Sequence, residues 1–101
     1  DVYKRQEHCD LVICLSHLGY FYKNFPGRIS DLNLARQTKD IDLFIGGHTH
    51  TFLDKPTIGK NIVGKNVLIN QVGCYGINLG RIDFYFDSDK KKAANGATIL
   101  V

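Results

Sequence analysis

The amino-acid sequence predicts an α/β fold, a partial α/β sandwich in which a βαβ unit is followed by an antiparallel strand meander. Two apolar runs, residues 10–16 and 41–45, have the continuous apolar character of strands buried on both faces. A short helical pattern over residues 31–39 lies between them. The order strand, helix, strand is typical of parallel neighbours joined by a right-handed crossover. In the second half, glycines and turn residues separate the strands, which favours antiparallel pairing there.

The predicted helix over residues 31–39 has a recognisable start. Ser30 is a suitable N-cap, because its hydroxyl can accept a hydrogen bond from a free backbone N–H of the first turn. Asp31 follows in that first turn, where a negative charge is favourable. The apolar residues expected to face the sheet are Leu32, Leu34 and Ala35.

The second half of the chain is predicted to be rich in strands. Residues 67–72 form one strand, and residues 81–87 alternate between polar and apolar side chains. Residues 87–92 are a charged turn, and a further strand begins at residues 97–101. The side chains expected on one face of the alternating strand are Ile82, Phe84 and Phe86.

The composition excludes several classes of protein. Of the 101 residues, 44% are hydrophobic and 23% are charged, which is the balance of an ordinary globular chain. No apolar stretch approaches the roughly 18 residues that indicate a membrane span. The formal charge is +3 without a basic patch, so nucleic acid is not an expected partner. About 100 residues allow one domain, or part of one.

The beginning of the chain is predicted to be non-native. Residues 1–6 (DVYKRQ) show no periodicity and resemble the peptide encoded when a transposase mosaic-end adapter is read as coding DNA. A native charged arm is the alternative interpretation. The chain also contains no methionine, so we expect residues 7–101 to be a piece of a longer protein.

The segment Gly46-Gly47-His48-Thr49-His50 is the strongest local signal for chemistry. Two glycines allow a sharp turn at the end of a strand, where a side chain would obstruct approach. Residues two apart in an extended segment project to the same side, so both imidazoles can reach one site. Neutral imidazole is the commonest transition-metal ligand in proteins. The motif therefore predicts that His48 and His50 bind metal.

His17 is in an equivalent position, directly after the first predicted strand. Ligands of open α/β sheets gather outside the carboxyl ends of the strands, so two βα units would bring three histidines to one edge. A hydrogen-bonded structural histidine is the alternative for His17 on its own. Its neighbour Ser16 is not expected to form a nucleophile–base pair with it, because adjacent strand residues point to opposite faces.

Two stretches of the chain resemble the second half of a calcineurin-like metallophosphoesterase domain, and the 5'-nucleotidase branch is the closer match. The two stretches are residues 9–19, which end in Ser16-His17-Leu18-Gly19, and residues 40–50, which end in Gly46-Gly47-His48-Thr49-His50. Residues 67–73 and 79–83 resemble the closing strands of that branch. The similarity covers nearly all of residues 7–101, as the C-terminal part of such a domain.

The resemblance implies a metal-dependent phosphoric ester hydrolase as the parent protein. His17 and His48 would ligate one divalent ion and His50 a second one, with zinc, manganese or iron as the metals. The implied substrate is a small phosphate ester, specifically a nucleoside monophosphate cleaved to nucleoside and phosphate. The family also implies a periplasmic or extracellular location.

The family's Asp-x-His motif, its metal-bridging Asp and its Asn-His-Asp/Glu motif have no match here and would precede Glu7. Three neutral imidazoles without a bridging carboxylate cannot hold two cations at the ~3.5–4 Å separation of two-metal hydrolases. We therefore expect the 101 residues alone to bind metal poorly and to be inactive, with no catalytic residue of their own.

Two questions stay open at the level of sequence. The three histidines would also suit a non-catalytic metal-binding or interaction module that holds one structural ion. The aromatic residues between the first strand and the helix either line a substrate entrance or pack over the sheet edge. These aromatic residues are Tyr20, Phe21, Tyr22 and Phe25. Substrate-binding residues and oligomeric state are not predicted.

Overall fold

The computed structural model describes residues 9–86 and 92–100, and for residues 92–95 and 97–100 the backbone only. The described residues form six strands and one helix, which confirms the α/β class. In chain order they are β1 (Ile13–Leu15), α1 (Asp31–Gln37), β2 (Leu43–Ile45), β3 (Thr57–Lys60), β4 (Asn66–Asn70), β5 (Asn78–Phe86) and β6 (Lys92–Leu100).

Four strands form one mixed sheet in the order β1-β2-β4-β3. β1 pairs with β2 and β2 with β4 in parallel, so that Cys14, Phe44 and Ile69 lie in one row across the sheet. β3 is antiparallel to β4. Because β1, β2 and β4 run in the same direction, their carboxyl ends meet at one edge.

The core lies between α1 and one face of this sheet. Its buried members are Ala35 from the helix, Phe44 from β2, and Val67 and Ile69 from β4. The predicted N-cap is confirmed, since the Ser30 side chain accepts a hydrogen bond from the Asn33 backbone N–H. Partly buried residues that complete the core are Cys14, Tyr20, Leu32, Leu34 and Ile41.

The prediction that the first strand is buried on both faces is wrong for this chain. Ile13 is 46% exposed and Leu15 is 78% exposed, whereas Cys14 between them packs against the core. The two exposed side chains project from the sheet face opposite α1. The strand is also shorter than predicted, because residues 10–12 lie outside the ladder.

The second half forms two antiparallel hairpins, β3–β4 and β5–β6, and the second hairpin is a separate two-stranded sheet. Because β4 and β5 are not paired, these strands do not form the single meander that the sequence predicted. Strand β3 was not predicted, and β6 begins at Lys92 rather than at residue 97. In β5, Ile82 and Phe84 are half-buried but Phe86 is exposed. Residues 82, 84 and 86 alternate with the others along the unbroken ladder, so the three side chains share one face as predicted, and Phe86 at the end of the strand is left uncovered.

The hairpin β5–β6 approaches the main sheet closely at Gly80, where an added Cβ would lie 2.8 Å from Asn70 Nδ2. An open groove of about 480 Å³ runs between the bare sheet face and the hairpin, lined by residues such as Ile13, Ile45 and Phe84. The predictions for residues 1–6 and most of the turn at 87–92 lie outside the described residues. Among the described helices, none is long and apolar enough to cross a membrane.

Candidate metal centre at the carboxyl edge of the sheet

His17 lies at the carboxyl edge of the sheet, as the sequence predicts. β1 ends at Leu15, and the Ser16 backbone N–H still donates to the Ile45 carbonyl at 2.9 Å. The pairing of β1 with β2 therefore extends to Ser16, and His17 is the first side chain beyond it. The His17 side chain is exposed at this edge.

The structure brings His17 and His48 together. Their ring centroids are 5.1 Å apart, with the ring planes at 74° in an edge-to-face arrangement. Gly47 makes this approach feasible, since a Cβ at that position would lie 3.1 Å from His17 Nδ1. The prediction that a side chain would obstruct approach at this strand end is therefore confirmed at Gly47, where the neighbouring group is the His17 imidazole.

The backbone at both histidines of the His-x-His motif is left-handed. His48 has φ +75° and His50 has φ +52°, a region that non-glycine residues seldom occupy. The Thr49 backbone N–H donates to the Gly47 carbonyl at 3.0 Å, so His48 is the central residue of a γ-turn. Such conformations cost on the order of 1–3 kcal/mol each and persist only where surrounding contacts hold them.

His50 lies beside a different neighbour. Its ring is 6.2 Å from the ring of Tyr75, with the planes at 61°. Tyr75 is 90% exposed and also has a left-handed backbone, with φ +64°. The sequence predicts that the segment 46–50 is extended, with both imidazoles on one side. This expectation is wrong, because the backbone is left-handed at His48 and at His50. The γ-turn at His48 gives the two imidazoles separate surroundings.

The contacts that hold the loop of residues 46–51 come from Gln71, directly after β4. Gln71 is only 3% exposed. Its Nε2 donates to the Gly47 carbonyl at 3.1 Å, and its Oε1 accepts from the Thr51 backbone N–H at 2.5 Å. Thr49 Oγ1 also donates to Gln71 Oε1 at 3.3 Å and accepts from the Tyr20 backbone N–H at 3.0 Å.

Asp31 connects the helix to both strand ends. It is fully buried, and its Oδ1 accepts a hydrogen bond from Ser16 Oγ at 2.5 Å. Its Oδ2 has no hydrogen-bond partner among the described residues and lies against Gly46, where an added Cβ would be 1.8 Å away. Gly46 is thus required because the carboxylate of Asp31 occupies the space beside it.

Burial is the main influence on the acidity of Asp31 and its neighbour Cys14. It raises the pKa of the Asp31 carboxyl above its ordinary value, and the hydrogen bond from Ser16 opposes part of that rise. Burial also raises the pKa of the Cys14 thiol, and the charge of Asp31 adds to this effect. A thiol with a raised pKa is inert, in keeping with its place in the core.

Sequence reasoning did not single out Gln71, or assign Asp31 any function beyond the first helical turn. For Asp31 the available signal was an acidic residue directly after a capping serine. For Gln71 no local pattern exists, because its partners are 20 to 24 residues away along the chain. Two of the four aromatic residues have structural contacts: the Tyr20 hydroxyl forms a hydrogen bond with Thr57 Oγ1 at 2.7 Å, and the Arg28 guanidinium lies over the Tyr22 ring.

The donor chemistry at this edge suits a divalent transition metal, but the ligand set is incomplete. His17 and His48 are exposed, adjacent imidazoles of the kind that bind zinc. Within the part of the chain that the structure describes, no group of three or more His, Cys, Asp or Glu side chains is arranged to hold a metal ion. The ligand roles of His17, His48 and His50 stay predictions.

Comparison with known proteins gives a consistent set of relatives, although no family model matches the chain. The trifunctional nucleotide phosphoesterase protein YfkN of Bacillus subtilis is 38% identical over 84 residues, which are 83% of this chain and 5% of the relative. An apyrase of Tabanus yao is 36% identical over 98 residues, covering 82% of this chain and 16% of the relative. A snake venom 5'-nucleotidase of Gloydius brevicauda is 30% identical over 89 residues, covering 75% and 14%.

A solved structure agrees with the sequence relatives. The 5'-nucleotidase precursor from Thermus thermophilus superposes with a TM-score of 0.80 at 29% identity. The superposition covers 98% of this chain and 20% of that one. The chain therefore spans a small part of the length of each protein it matches.

Proposed function

The chain belongs to the 5'-nucleotidase-type metallophosphoesterase family, as the C-terminal part of its metallophosphoesterase domain, and on this premise we propose that His17, His48 and His50 are metal ligands. The centre to which they belong hydrolyses phosphate esters of nucleotides. In this assignment His17 and His48 hold one divalent ion and His50 holds the second.

One observation carries the proposal for the metal ligands. His17 and His48 come from two different strand ends, 31 positions apart, yet their rings are in edge-to-face contact at 5.1 Å. Both side chains are exposed, so that an ion can reach them without rearrangement of the core. Glycine at position 47 maintains the approach because any side chain there would crowd the His17 ring.

The residues of this chain bind and orient rather than react. Imidazole nitrogens of His17 and His48 would provide the lone pairs for one ion, and His50, whose ring lies beside Tyr75 instead, would hold the other. Divalent cations, when bound, would polarise the phosphoryl group and lower the pKa of water. The fixed backbone of the loop of residues 46–51 keeps the imidazoles in place without the loss of entropy that a mobile loop would incur.

Nucleotides are the proposed substrates because the relatives carry such names, including nucleotide phosphoesterase, apyrase and 5'-nucleotidase. The proposed reaction releases phosphate from a nucleoside monophosphate, a step of nucleotide catabolism. An extracellular or periplasmic location is part of the same proposal, supported by a relative named for snake venom. Zinc, manganese and iron are the candidate metals.

The experiment that tests the ligand assignment is a zinc titration of the 101-residue chain, followed by NMR of its imidazole signals. We expect weak binding in which the signals of His17 and His48 move together. His17→Ala should remove the response of His48, and His48→Ala that of His17. His8→Ala is the matched control, because that histidine precedes the first strand, and it should leave both responses unchanged. A response of His8 in place of the other two would refute the assignment.

Hydrolysis is tested separately with AMP and manganese or zinc. The 101 residues alone are expected to release no phosphate, since their three imidazoles bring no bridging carboxylate. A longer reading frame that contains this chain should release phosphate, and His48→Ala in that protein should abolish the reaction. Zinc binding by the pair His17–His48 without phosphate release from the longer protein would instead favour the non-catalytic module.

A further inference from the structure

We propose that Gln71 is a positioning residue, whose single buried amide holds the left-handed backbone at His48 and His50 and so directs both imidazoles. The inference rests on the proposed function of these histidines as metal ligands. It concerns the conformation of the loop of residues 46–51, which exists with or without an ion.

The contacts of Gln71 lie on both sides of the two histidines. Nε2 donates to the Gly47 carbonyl, one residue before His48, and Oε1 accepts from the Thr51 backbone N–H, one residue after His50. The intervening Thr49 also donates to Oε1 through its hydroxyl. One side chain thus holds the backbone before, between and after the two candidate ligands.

An amide is the chemical group that these contacts require. Gly47 presents a carbonyl, which needs a donor, and Thr51 presents an N–H, which needs an acceptor. Glutamine supplies both from one planar group, whereas a carboxylate only accepts and an ammonium only donates. The Gln71 backbone is itself tied to the loop, because its carbonyl accepts from the Leu53 N–H at 3.2 Å.

Burial makes these hydrogen bonds strong determinants of the loop. Gln71 is nearly inaccessible to water, so its amide has no solvent alternative to these partners in the present conformation. The left-handed conformations at His48 and His50 are intrinsically unfavourable for residues with a side chain. We therefore expect the turn to relax toward ordinary backbone angles when the amide is removed.

The test is NMR of the metal-free 101-residue chain carrying Gln71→Met, which keeps the length of the side chain and removes its polar atoms. In the wild-type chain a left-handed φ gives strong intraresidue HN–Hα NOEs at His48 and His50, and the ring contact gives NOEs between His17 and His48. We expect Gln71→Met to lose both sets, while the ring signals of Phe44 report an intact core. Unchanged NOEs at the histidines would overturn the proposal.

Asn70→Ala is the matched control. Asn70 is the preceding residue of the same strand end and is similarly buried, but its Oδ1 has no hydrogen-bond partner among the described residues. Its removal should leave the NOEs of both histidines in place. If Asn70→Ala abolishes them to the same extent as Gln71→Met, the effect belongs to the strand end and the proposal fails.

Gln71→Glu separates the two halves of the contact and also serves if Gln71→Met does not fold. At a pH high enough to ionise the buried carboxyl, the side chain keeps the acceptor for Thr51 and loses the donor to Gly47. The NOE signature should then be lost at His48 and retained at His50. Equal loss at both histidines, or no loss at either, would contradict the assigned contacts.

Zinc titration distinguishes this inference from the proposed function. Gln71 acts on the imidazoles only through the backbone of the loop, so for Gln71→Met we expect a loss of zinc affinity of about tenfold, the low end of the range for groups that bond a metal ligand directly. Absence of zinc binding in the wild-type chain would contradict the ligand assignment, while the NOE comparison would still decide the function of Gln71. Wild-type zinc affinity in Gln71→Met would refute the positioning function.

Discussion

Replacing Gly46 with alanine is expected to destabilise the fold strongly, because the space beside its Cα is filled by a charged group. The new Cβ would lie 1.8 Å from Asp31 Oδ2 and 3.0 Å from Asp31 Cγ. Asp31 cannot simply swing aside, since it is fully buried and its other oxygen accepts the hydrogen bond of Ser16.

Both ways of relieving the clash are costly. Moving the strand end away from the helix is overpacking, which typically costs about 1–3 kcal/mol. Rotating Asp31 breaks a hydrogen bond to a charged group, and such bonds contribute roughly 1.5–3 kcal/mol. We therefore expect Gly46→Ala to lower the free energy of unfolding by about 2–4 kcal/mol.

Urea denaturation followed by circular dichroism measures this effect. With a slope of about 1–3 kcal/mol per molar urea, the midpoint should fall by roughly 1 M or more. Gly27→Ala is the matched control, because a Cβ at Gly27 meets no atom within 4 Å. Its effect should stay within about 0.5 kcal/mol, as for other unconstrained surface positions.

A double-mutant cycle identifies the cause. In an Asp31→Ala background the carboxylate is gone, so Gly46→Ala should cost less than about 1 kcal/mol, and the coupling between the two sites should be large. The reasoning is refuted if Gly46→Ala is as mild as Gly27→Ala. It is also refuted if Gly46→Ala costs the same with and without Asp31.

Three further predictions follow from the contacts at the strand ends. Burial raises the pKa of the Asp31 carboxyl, so the stability that this group contributes is present below its ordinary pKa and is lost as pH rises through the pKa of the folded state. Urea midpoints of Asp31→Asn should therefore rise relative to those of the wild type from about pH 4 to pH 7, and a constant difference would contradict this. Gly47→Ala should weaken zinc binding in the NMR titration, because the new Cβ crowds the movable His17 ring at 3.1 Å, while the urea midpoint stays within about 0.5 M of the wild-type value. Unaltered zinc affinity would count against the role of the ring contact. Ser30→Ala should cost about 1 kcal/mol of unfolding free energy by loss of the cap to Asn33, and Ser30→Thr, which keeps the hydroxyl, should cost less if capping is the reason.

The helix and its cap show what local sequence can predict. Ser30 and Asp31 start the helix where expected, because capping depends on residues within one turn of each other. The helix ends at Gln37, two residues before the predicted end. Strand β3 was missed because Thr57-Ile58-Gly59-Lys60 has little apolar character of its own and is formed by pairing with β4.

The exposed face of β1 shows the limit of hydrophobic patterns. Ile13 and Leu15 read as core residues because the apolar run continues without interruption through Cys14. A pattern records the apolar character of a side chain and not whether another element covers it. Only Cys14 is packed against the core, whereas Leu15 is 78% exposed.

The sequence by itself determined the α/β order, the helix cap and the delivery of His17 and His48 to one edge of the sheet. These features depend on residue type and short-range spacing, and two parallel strands must end at the same edge. The tertiary structure alone decided the left-handed turn at His48, the amide of Gln71 that holds it and the carboxylate of Asp31 against Gly46. Those features depend on hydrogen bonds and close contacts between residues 15 to 24 positions apart, which form only after the strands and the helix have packed together.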